Sequence, residues 1–173
     1  MTNQGYYLLK LIDSVPELEG RKRLQKLMYL MKYAGFPIEV RYSWHYYGPY
    51  SADLALQIDS LVDSGLLKEE DMVLGYRYKT SEAGKTALAQ VEGYRGNRKI
   101  RQFVSAWLDD FKSFSTYKVS DLEKASSVLY WKEWGKREDD AIRTTESLKG
   151  KLTACVLKIT KDVSRLKASS PPR

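Results

Sequence analysis

His45 and Cys155 are each the single residue of their type in this 173-residue chain, and their side chains are the first candidates for catalysis or metal binding. A histidine acts as a general base only beside a partner that orients it, and a metal site needs several ligands. His45 lies in an aromatic run, which favours packing. Cys155 has no second cysteine with which to form a disulfide, metal site or redox pair, and it adjoins an apolar seam. We therefore expect no catalytic residue, no metal and no cofactor.

Other motifs that carry chemistry are not recognised in the sequence. Neither the segment GYRG nor Gly75 matches the spacing of phosphate-binding loops. The acidic clusters Asp109–Asp110 and Glu138–Asp140 are explained by solvated helix faces. We expect a non-enzymatic protein. The enzymatic alternative is an accessory subunit of a nuclease or hydrolase, which would contribute surface without catalytic groups.

The charge of the chain is unevenly distributed. The net charge is +7 and the isoelectric point is about 9.3, which favours an acidic partner, with nucleic acid as the first candidate. Residues 1–80 contain ten basic and ten acidic residues, whereas residues 81–173 contain nineteen basic and twelve acidic residues. The whole excess therefore lies in the C-terminal half.

Basic and aromatic residues form the candidate contact surface. The second predicted helix has a basic face, a predicted hairpin strand carries two cations, and the segment YRGNRKIR is a denser basic cluster. A solvated helix face and a soluble linker explain these clusters as well. The candidate contacts for a partner or nucleic acid are Arg21, Lys22, Lys26, Tyr47, Tyr50, Arg77, Lys79, Arg95, Arg98, Lys99 and Arg101.

Residues 1–93 have the pattern of a winged-helix-like unit, in which three helices precede a β-hairpin. Apolar residues recur at helical spacing, and β-branched and aromatic residues favour strands. The predicted elements are helices over Gln4–Ser14, Gly20–Ala34 and Ser51–Gly65, a strand over Ile38–Tyr47, and a hairpin of Leu66–Glu69 and Val73–Thr80 with Glu70 and Asp71 near its turn.

A structural turn is expected where the aromatic strand meets the third helix. Gly48 allows the chain to turn, and Pro49 removes a donor that a continuing strand needs. Ser51 is a good N-cap for the helix that follows. Gly48, Pro49 and Ser51 are therefore predicted to form a hinge between strand and helix.

The predicted third helix argues against sequence-specific DNA reading. In a winged helix this element usually enters the major groove, where arginine, lysine, asparagine and glutamine read the bases. Here it contains no lysine or arginine, and it carries Asp53, Asp59 and Asp63. A protein partner is thus the simpler interpretation.

Residues 94–168 are predicted to form a helical unit packed on the first one. Gly93 and Gly96 flank the boundary, Ser120 and Thr153 are candidate helix caps, and Gly135 and Gly150 are candidate helix ends. A disordered tail is expected over residues 169–173. The fold class is mainly α, of the α+β type.

Three sequence segments resemble a known family. The segments GRKRLQKLMYLMK and YSWHYYGPYSADLALQIDSLVDSGLL are similar to the YwgA-like family of prokaryotic proteins, and the later DLEKASSVLYWKEWG is similar to a helix of that family. A more distant resemblance is to the Panacea (SocA-like) antitoxin domain, which would imply that the chain neutralises or adapts a partner protein. The residues that match are Gly20, Arg21, Lys22, Leu24, Gln25, Lys26, Tyr47, Gly48, Pro49, Tyr50 and Ser51.

The sequence thus favours a binding and regulatory protein of the cytoplasm, where a single cysteine stays reduced. The expected partner is another protein, such as an effector, a toxin or a complex subunit, and antiviral defence is one setting for such an adaptor. The alternative is a DNA-binding winged-helix transcriptional regulator that contacts phosphates. No membrane contact is expected, and a homo-oligomer remains open.

Overall fold

A computed structural model describes residues 1–73 and 75–169. The fold is mainly α with small antiparallel sheets, as predicted. The helices are α1 (Asn3–Asp13), α2 (Arg21–Ala34), α3 (Ala52–Asp63), α4 (Glu82–Gly93), α5 (Arg98–Ser115), α6 (Val119–Glu133), α7 (Glu138–Lys149) and α8 (Ala154–Ser169). The strands are β1 (Leu18–Glu19), β2 (Ser43–His45), β3 (Gly48–Tyr50), β4 (Leu67–Met72) and β5 (Gly75–Thr80).

The ends of several helices are determined by local chemistry, through a capping side chain or a glycine. Thr2 caps α1 by accepting a hydrogen bond from the backbone N–H of Gly5 at 3.1 Å. Gly65, Gly135 and Gly150 follow α3, α6 and α7 with positive φ angles, which an L-residue adopts at a cost. These helix ends are the ones that the sequence predicted.

The first hairpin of the N-terminal half differs from its prediction. Ser43 to His45 is the strand that forms within the predicted stretch Ile38–Tyr47, and Gly48 and Pro49 begin a second strand. Trp44 pairs with Pro49 and His45 with Gly48, so β2 and β3 form an antiparallel hairpin closed by two tyrosines. The prediction that Gly48 and Pro49 form a hinge is therefore wrong, whereas Ser51 directly precedes α3 as predicted. Proline is tolerated because a two-stranded sheet consists entirely of edge strands.

The second hairpin also has its turn in a different place. β4 and β5 pair from Leu67 opposite Thr80 to Met72 opposite Gly75, in a sheet of order β1-β5-β4. Glu70 and Asp71 lie inside β4 and not in the turn. Gly75, whose φ is +114°, begins β5 directly after the turn. Leu74, which belongs to the predicted strand Val73–Thr80, lies outside the described residues.

The C-terminal helices form as predicted, with one different start. Lys118 precedes α6 and makes no side-chain capping bond, so Ser120 lies within the first turn of that helix. Thr153 does cap α8, since its Oγ1 accepts from the backbone N–H of Val156 at 3.2 Å. Ser169 is the last residue of α8, and the rest of the expected disordered tail lies outside the described residues.

The chain divides into two compact units that interleave in sequence. The first unit comprises Met1–Leu24, Ile38–Arg41 and Ala52–Thr116, and the second comprises Gln25–Pro37, Tyr42–Ser51 and Tyr117–Arg173. This division differs from the linear boundary expected after residue 93, because α5 joins the first unit and the β2–β3 hairpin joins the second. Among the described residues no helix is long and apolar enough to cross a membrane.

Candidate functional site

Two buried side chains of α2 hold the β2–β3 hairpin. Gln25 Nε2 donates to the carbonyl oxygen of Ser51 at 2.8 Å, and the backbone N–H of Ser51 donates to Gln25 Oε1 at 3.0 Å. Lys26 Nζ donates to the carbonyl oxygen of Pro49 at 2.6 Å. Lys26 is 2% exposed, so it was wrongly predicted as a phosphate contact. These bonds connect the Gln-Lys pair of α2 to the Tyr-Gly-Pro-Tyr-Ser segment.

The hairpin lies directly against α6. A Cβ atom on Gly48 would stand 2.7 Å from Ser127 Oγ, and the φ of Gly48 is +82°. Behind the hairpin the ring of Trp44 contacts those of Trp131 and Tyr130, with centroids 4.5 and 5.4 Å apart. A glycine is therefore required at position 48 by both its backbone conformation and the close approach of α6.

A third anchor comes from the end of α7. Lys149 Nζ lies 2.5 Å from Glu123 Oε1 and 3.2 Å from the carbonyl oxygen of Tyr46, to which it donates. The ammonium group also lies 5.7 Å from the ring centroid of Trp44. Lys149 was not predicted, because nothing local relates it to a turn that lies 103 residues earlier.

The anchored hairpin displays an exposed aromatic patch, which we call the aromatic tip: His45, Tyr46, Tyr47 and Tyr50. Tyr46 is 81% exposed, Tyr47 49% and Tyr50 38%. The rings of Tyr46 and Tyr47 meet edge-on at 4.9 Å, and those of His45 and Tyr50 lie 5.5 Å apart. The hairpin segment, residues 42–51, contains no charged residue. The tip therefore offers an uncharged, amphipathic contact surface on a fixed support.

The predicted cation Arg21, at the start of α2, is engaged by an acidic neighbour. Arg21 donates two hydrogen bonds to Glu69, at 2.8 and 2.9 Å, and its guanidinium covers the ring of Tyr76. The hydrogen bond to Glu69 is the main cause that raises the pKa of Arg21. Lys22, on the same turn of α2, is half-buried. Of the basic face predicted for this helix, Arg21 is thus neutralised by Glu69.

The cations of β5 are likewise paired. Arg77 lies 3.3 Å from Glu17 and 3.5 Å from Glu19, and Lys79 lies 3.4 Å from Glu17 and 3.7 Å from Glu70. Since these carboxylates offset their charge, Arg77 and Lys79 contribute little positive potential to the surface.

The basic cluster that follows α4 is different. Arg95, Arg98 and Lys99 are exposed, and none of them makes an ion pair within residues 1–73 and 75–169. Arg101 is partly buried, and its guanidinium donates to the carbonyl oxygen of Glu92. The cluster therefore offers three unpaired cations to an anion, while the fourth predicted cation is held by the fold.

Two of the three aspartates of α3, Asp53 and Asp59, lie close to arginines, at 3.4 Å from Arg41 and 4.0 Å from Arg21. The backbone N–H of Arg41 donates to Asp53 at 3.0 Å, which is the main cause that lowers the pKa of this carboxyl. Asp59 lies 4.0 Å from the Arg21 guanidinium, and Asp63 is exposed. No basic residue is present on α3 to read a base or contact a phosphate.

Comparison with known proteins identifies one relative. The chain is 33% identical over 135 residues to the uncharacterized protein YwgA of Bacillus subtilis (strain 168), and the alignment covers 76% of each chain. No family model matches the chain.

Proposed function

The chain belongs to the YwgA-like family, and we propose that it is a non-enzymatic binding and regulatory protein whose partner is another protein. In this proposal the chain is a protein-interaction adaptor or an antitoxin-like, defence-associated subunit, and the partner is an effector, a toxin or a complex subunit. The observation that carries the proposal is the aromatic tip, which exposes Tyr46, Tyr47 and Tyr50. Tyrosine is enriched in protein interfaces because its ring gives large contact area at low entropic cost.

The support beneath the tip strengthens this interpretation. The hairpin is held by polar side chains that form hydrogen bonds to its backbone, from Gln25, Lys26 and Lys149. Burying a lysine is costly unless its ammonium group is well bonded. Because these bonds hold the short hairpin in place, the tyrosines are restricted before a partner binds. Such preorganisation improves affinity.

A photocrosslinking experiment tests the adaptor proposal. Tyr46 is replaced by a benzophenone amino acid in cells of the native host, and the same amino acid replaces Val73, which is 99% exposed on the other hairpin, as a control. We expect a defined protein to crosslink at position 46 and not at position 73, and to bind the purified chain directly. Crosslinks to nucleic acid alone, or the same products at both positions, would contradict the proposal.

The order of elements from α1 to β5 along the chain supports a winged-helix assignment. In this assignment α1, α2 and α3 are its helices, the pair β4 and β5 is its wing, and β1 completes a sheet of order β1-β5-β4. The more distant likeness to the Panacea antitoxin domain is consistent with the adaptor role. We place the protein in the cytoplasm because Cys155 is unpaired.

A DNA-binding regulator is the second candidate, and the exposed cations Arg95, Arg98 and Lys99 are the observation that favours it. Such binding would be driven by phosphate, nearly independent of sequence, and weakened steeply by salt, with dissociation constants of about 10⁻⁴ to 10⁻⁶ M. Fluorescence anisotropy on several duplexes at two salt concentrations measures it. Reversing the charge of Arg98 and Lys99 should weaken binding to all duplexes alike. Tight binding to one duplex that depends on α3 would favour the regulator over the adaptor.

A further inference from the structure

The two compact units differ in net charge. Counted over their sequences, the first unit holds fourteen basic and fourteen acidic residues, and the second holds fifteen basic and eight acidic residues. The entire excess of +7 therefore belongs to the unit that carries the aromatic tip, and the cluster at Arg95 to Arg101 belongs to the neutral one. A partner of the tip meets a positive surface.

Four lysines continue from the tip along the starts of α6 and α8, and we call them the lysine edge: Lys118, Lys124, Lys151 and Lys158. A chain of contacts connects them to the tip. Lys149 joins Tyr46 to Glu123, the neighbour of Lys124, and Lys124 Nζ donates to the carbonyl oxygen of Lys151 at 2.7 Å. The edge therefore begins one residue after Glu123, the carboxylate that Lys149 connects to the backbone of Tyr46.

The far end of the edge is connected in the same way. Thr153, the cap of α8, donates to Asp121 at 3.4 Å, and Asp121 lies in the first turn of α6. Lys118 directly precedes α6, and Lys158 lies on the first turns of α8. Burial is the main cause that raises the pKa of the Cys155 thiol, Asp121 adds to it, and the charges of Lys158 and Lys118 act in the opposite direction.

The lysine edge is positive in sum. None of its four lysines makes an ion pair with a carboxylate in the part of the chain that the structure describes. The acidic groups beside them are Asp121, Glu123 and Glu146, which accepts from the backbone N–H of Leu152, and Glu123 is neutralised by Lys149. Four lysines thus stand against two carboxylates that have no lysine partner. Both α6 and α8 begin at this edge and α7 ends there, so the negative end of the α7 dipole offsets one of the two positive ends.

We infer that the partner of the aromatic tip presents an acidic polypeptide surface, whose carboxylates pair with the lysine edge while an apolar or aromatic side chain packs against Tyr46 and Tyr47. This inference rests on the proposed adaptor function and adds the chemistry of the partner. Charge complementarity supplies specificity and association rate, and the uncharged tip supplies the buried contact.

The geometry favours a polypeptide over a nucleic acid. The rings of Tyr46 and Tyr47 stand at 88° to each other, so they form one patch and not a row of parallel faces on which successive bases could stack. Asp121 and Glu123 interrupt the lysines, which disfavours a continuous phosphate backbone but accommodates separate carboxylates. All four cations of the edge are lysines, which act as point charges, whereas arginine is preferred for bidentate phosphate contacts.

The test uses a fluorescein-labelled random copolymer of glutamate and tyrosine, titrated with the full chain and followed by anisotropy. The double variant Lys124→Glu and Lys151→Glu should weaken binding about tenfold, as expected for reversing two exposed charges. The matched control reverses Lys85 and Lys112, two exposed lysines of the first unit, and should leave binding unchanged. If the first double variant melts early, Lys118→Gln with Lys158→Gln replaces it. Copolymer binding that is absent, or equal in the edge and control variants, overturns the inference.

Two further measurements separate this inference from the adaptor proposal. A protein crosslinked at Tyr46 whose purified complex is insensitive to the lysine-edge variants would overturn the acidic partner and leave the adaptor standing. A labelled oligothymidylate that binds more tightly than the copolymer, and through the same lysines, would overturn the polypeptide partner. A Tyr46→Ser, Tyr47→Ser variant that binds the copolymer as well as the native chain would contradict the role of the tip.

Discussion

At the scale of single residues, the fold uses polar and small side chains to fix one short hairpin. Lys26, Gln25 and Lys149 bind its backbone, and Gly48 lets α6 approach. A sequence pattern that looked like a basic helix face thus includes a buried structural cation. The exposed tyrosines provide the contact surface of the site, and the buried residues hold the tyrosines in position.

Gly48→Val is expected to lower the free energy of unfolding by about 1–3 kcal/mol from the backbone conformation alone, with a further loss from the clash at Ser127. Gly135→Val is the matched control, since its φ is also positive at +86° but no atom lies near its added Cβ. Chemical denaturation measures both. The difference between the two variants reports the close approach, and Ser127→Ala should recover part of it. A Gly48→Val protein that melts like the native chain would contradict this account.

Lys26→Met tests the role of the buried lysine. We expect it to lower the free energy of unfolding by about 1–3 kcal/mol, because the carbonyl oxygen of Pro49 loses a buried donor. Nucleic-acid affinity at low salt should not change. Lys99→Met, at an exposed position, is the control. It should leave the free energy of unfolding unchanged and lower the nucleic-acid affinity at low salt. A Lys26→Met variant of native stability and reduced phosphate affinity would restore the sequence-based prediction.

At the scale of elements, the hairpin and α6 depend on each other. The hairpin places Trp44 against Trp131 and Tyr130, and the hydroxyl of Tyr29, on α2, donates to Glu133 at 2.9 Å. Burial is the main cause that raises the pKa of Tyr29, and Glu133 adds to it. The aromatic residues of α2 and the hairpin thus have their partners on a helix that follows more than 70 residues later.

A fragment that ends at Gly93 is therefore expected to be molten or poorly soluble. It lacks α6, so Tyr29 and Trp44 lose their ring partners, and it also lacks α5 of the first unit. The measurement is an amide correlation spectrum of the fragment beside that of the full chain. A well-dispersed spectrum of the fragment would show that the N-terminal elements fold without those helices.

At the scale of the whole molecule, charge and burial set how stability depends on pH. Burial, and next the charge of Glu92, raise the pKa of Tyr6 from its ordinary 10.0 to about 12. Burial also raises the pKa of Tyr42 well above its ordinary value. Between pH 10.0 and about pH 12 the hydroxyl of Tyr6 has released its proton in the unfolded chain but keeps it in the native chain. Unfolding is therefore favoured as the pH rises.

The free energy of unfolding should accordingly be undiminished below about pH 10 and decrease as the pH approaches about 12. Urea denaturation at a series of alkaline pH values measures the loss. Tyr6→Phe cannot ionise at this position and should show a shallower decline than the native chain. Equal slopes for the two proteins would mean that Tyr6 ionises at its ordinary pH.

The amino-acid sequence by itself determined the fold class, most of the helices and several of their ends, because these depend on local chemistry. The spacing of Leu24, Leu27, Met28 and Met31 predicts α2, and Gly65 and Gly150 end helices where a positive φ is needed. The acidic character of α3 was equally visible, since charge is a property of composition.

Only the tertiary structure decided which of these residues could meet a partner. Lys26 was expected at the surface and is buried. Gly48 and Pro49 were expected to end a strand, but they begin one. Arg21 was expected to be available to a partner and is paired with Glu69, 48 residues away. Each outcome depends on a neighbour supplied by a distant part of the chain. Periodicity within a segment cannot report such neighbours, because the free energy of burying a lysine or pairing an arginine is set by contacts that form when the chain folds.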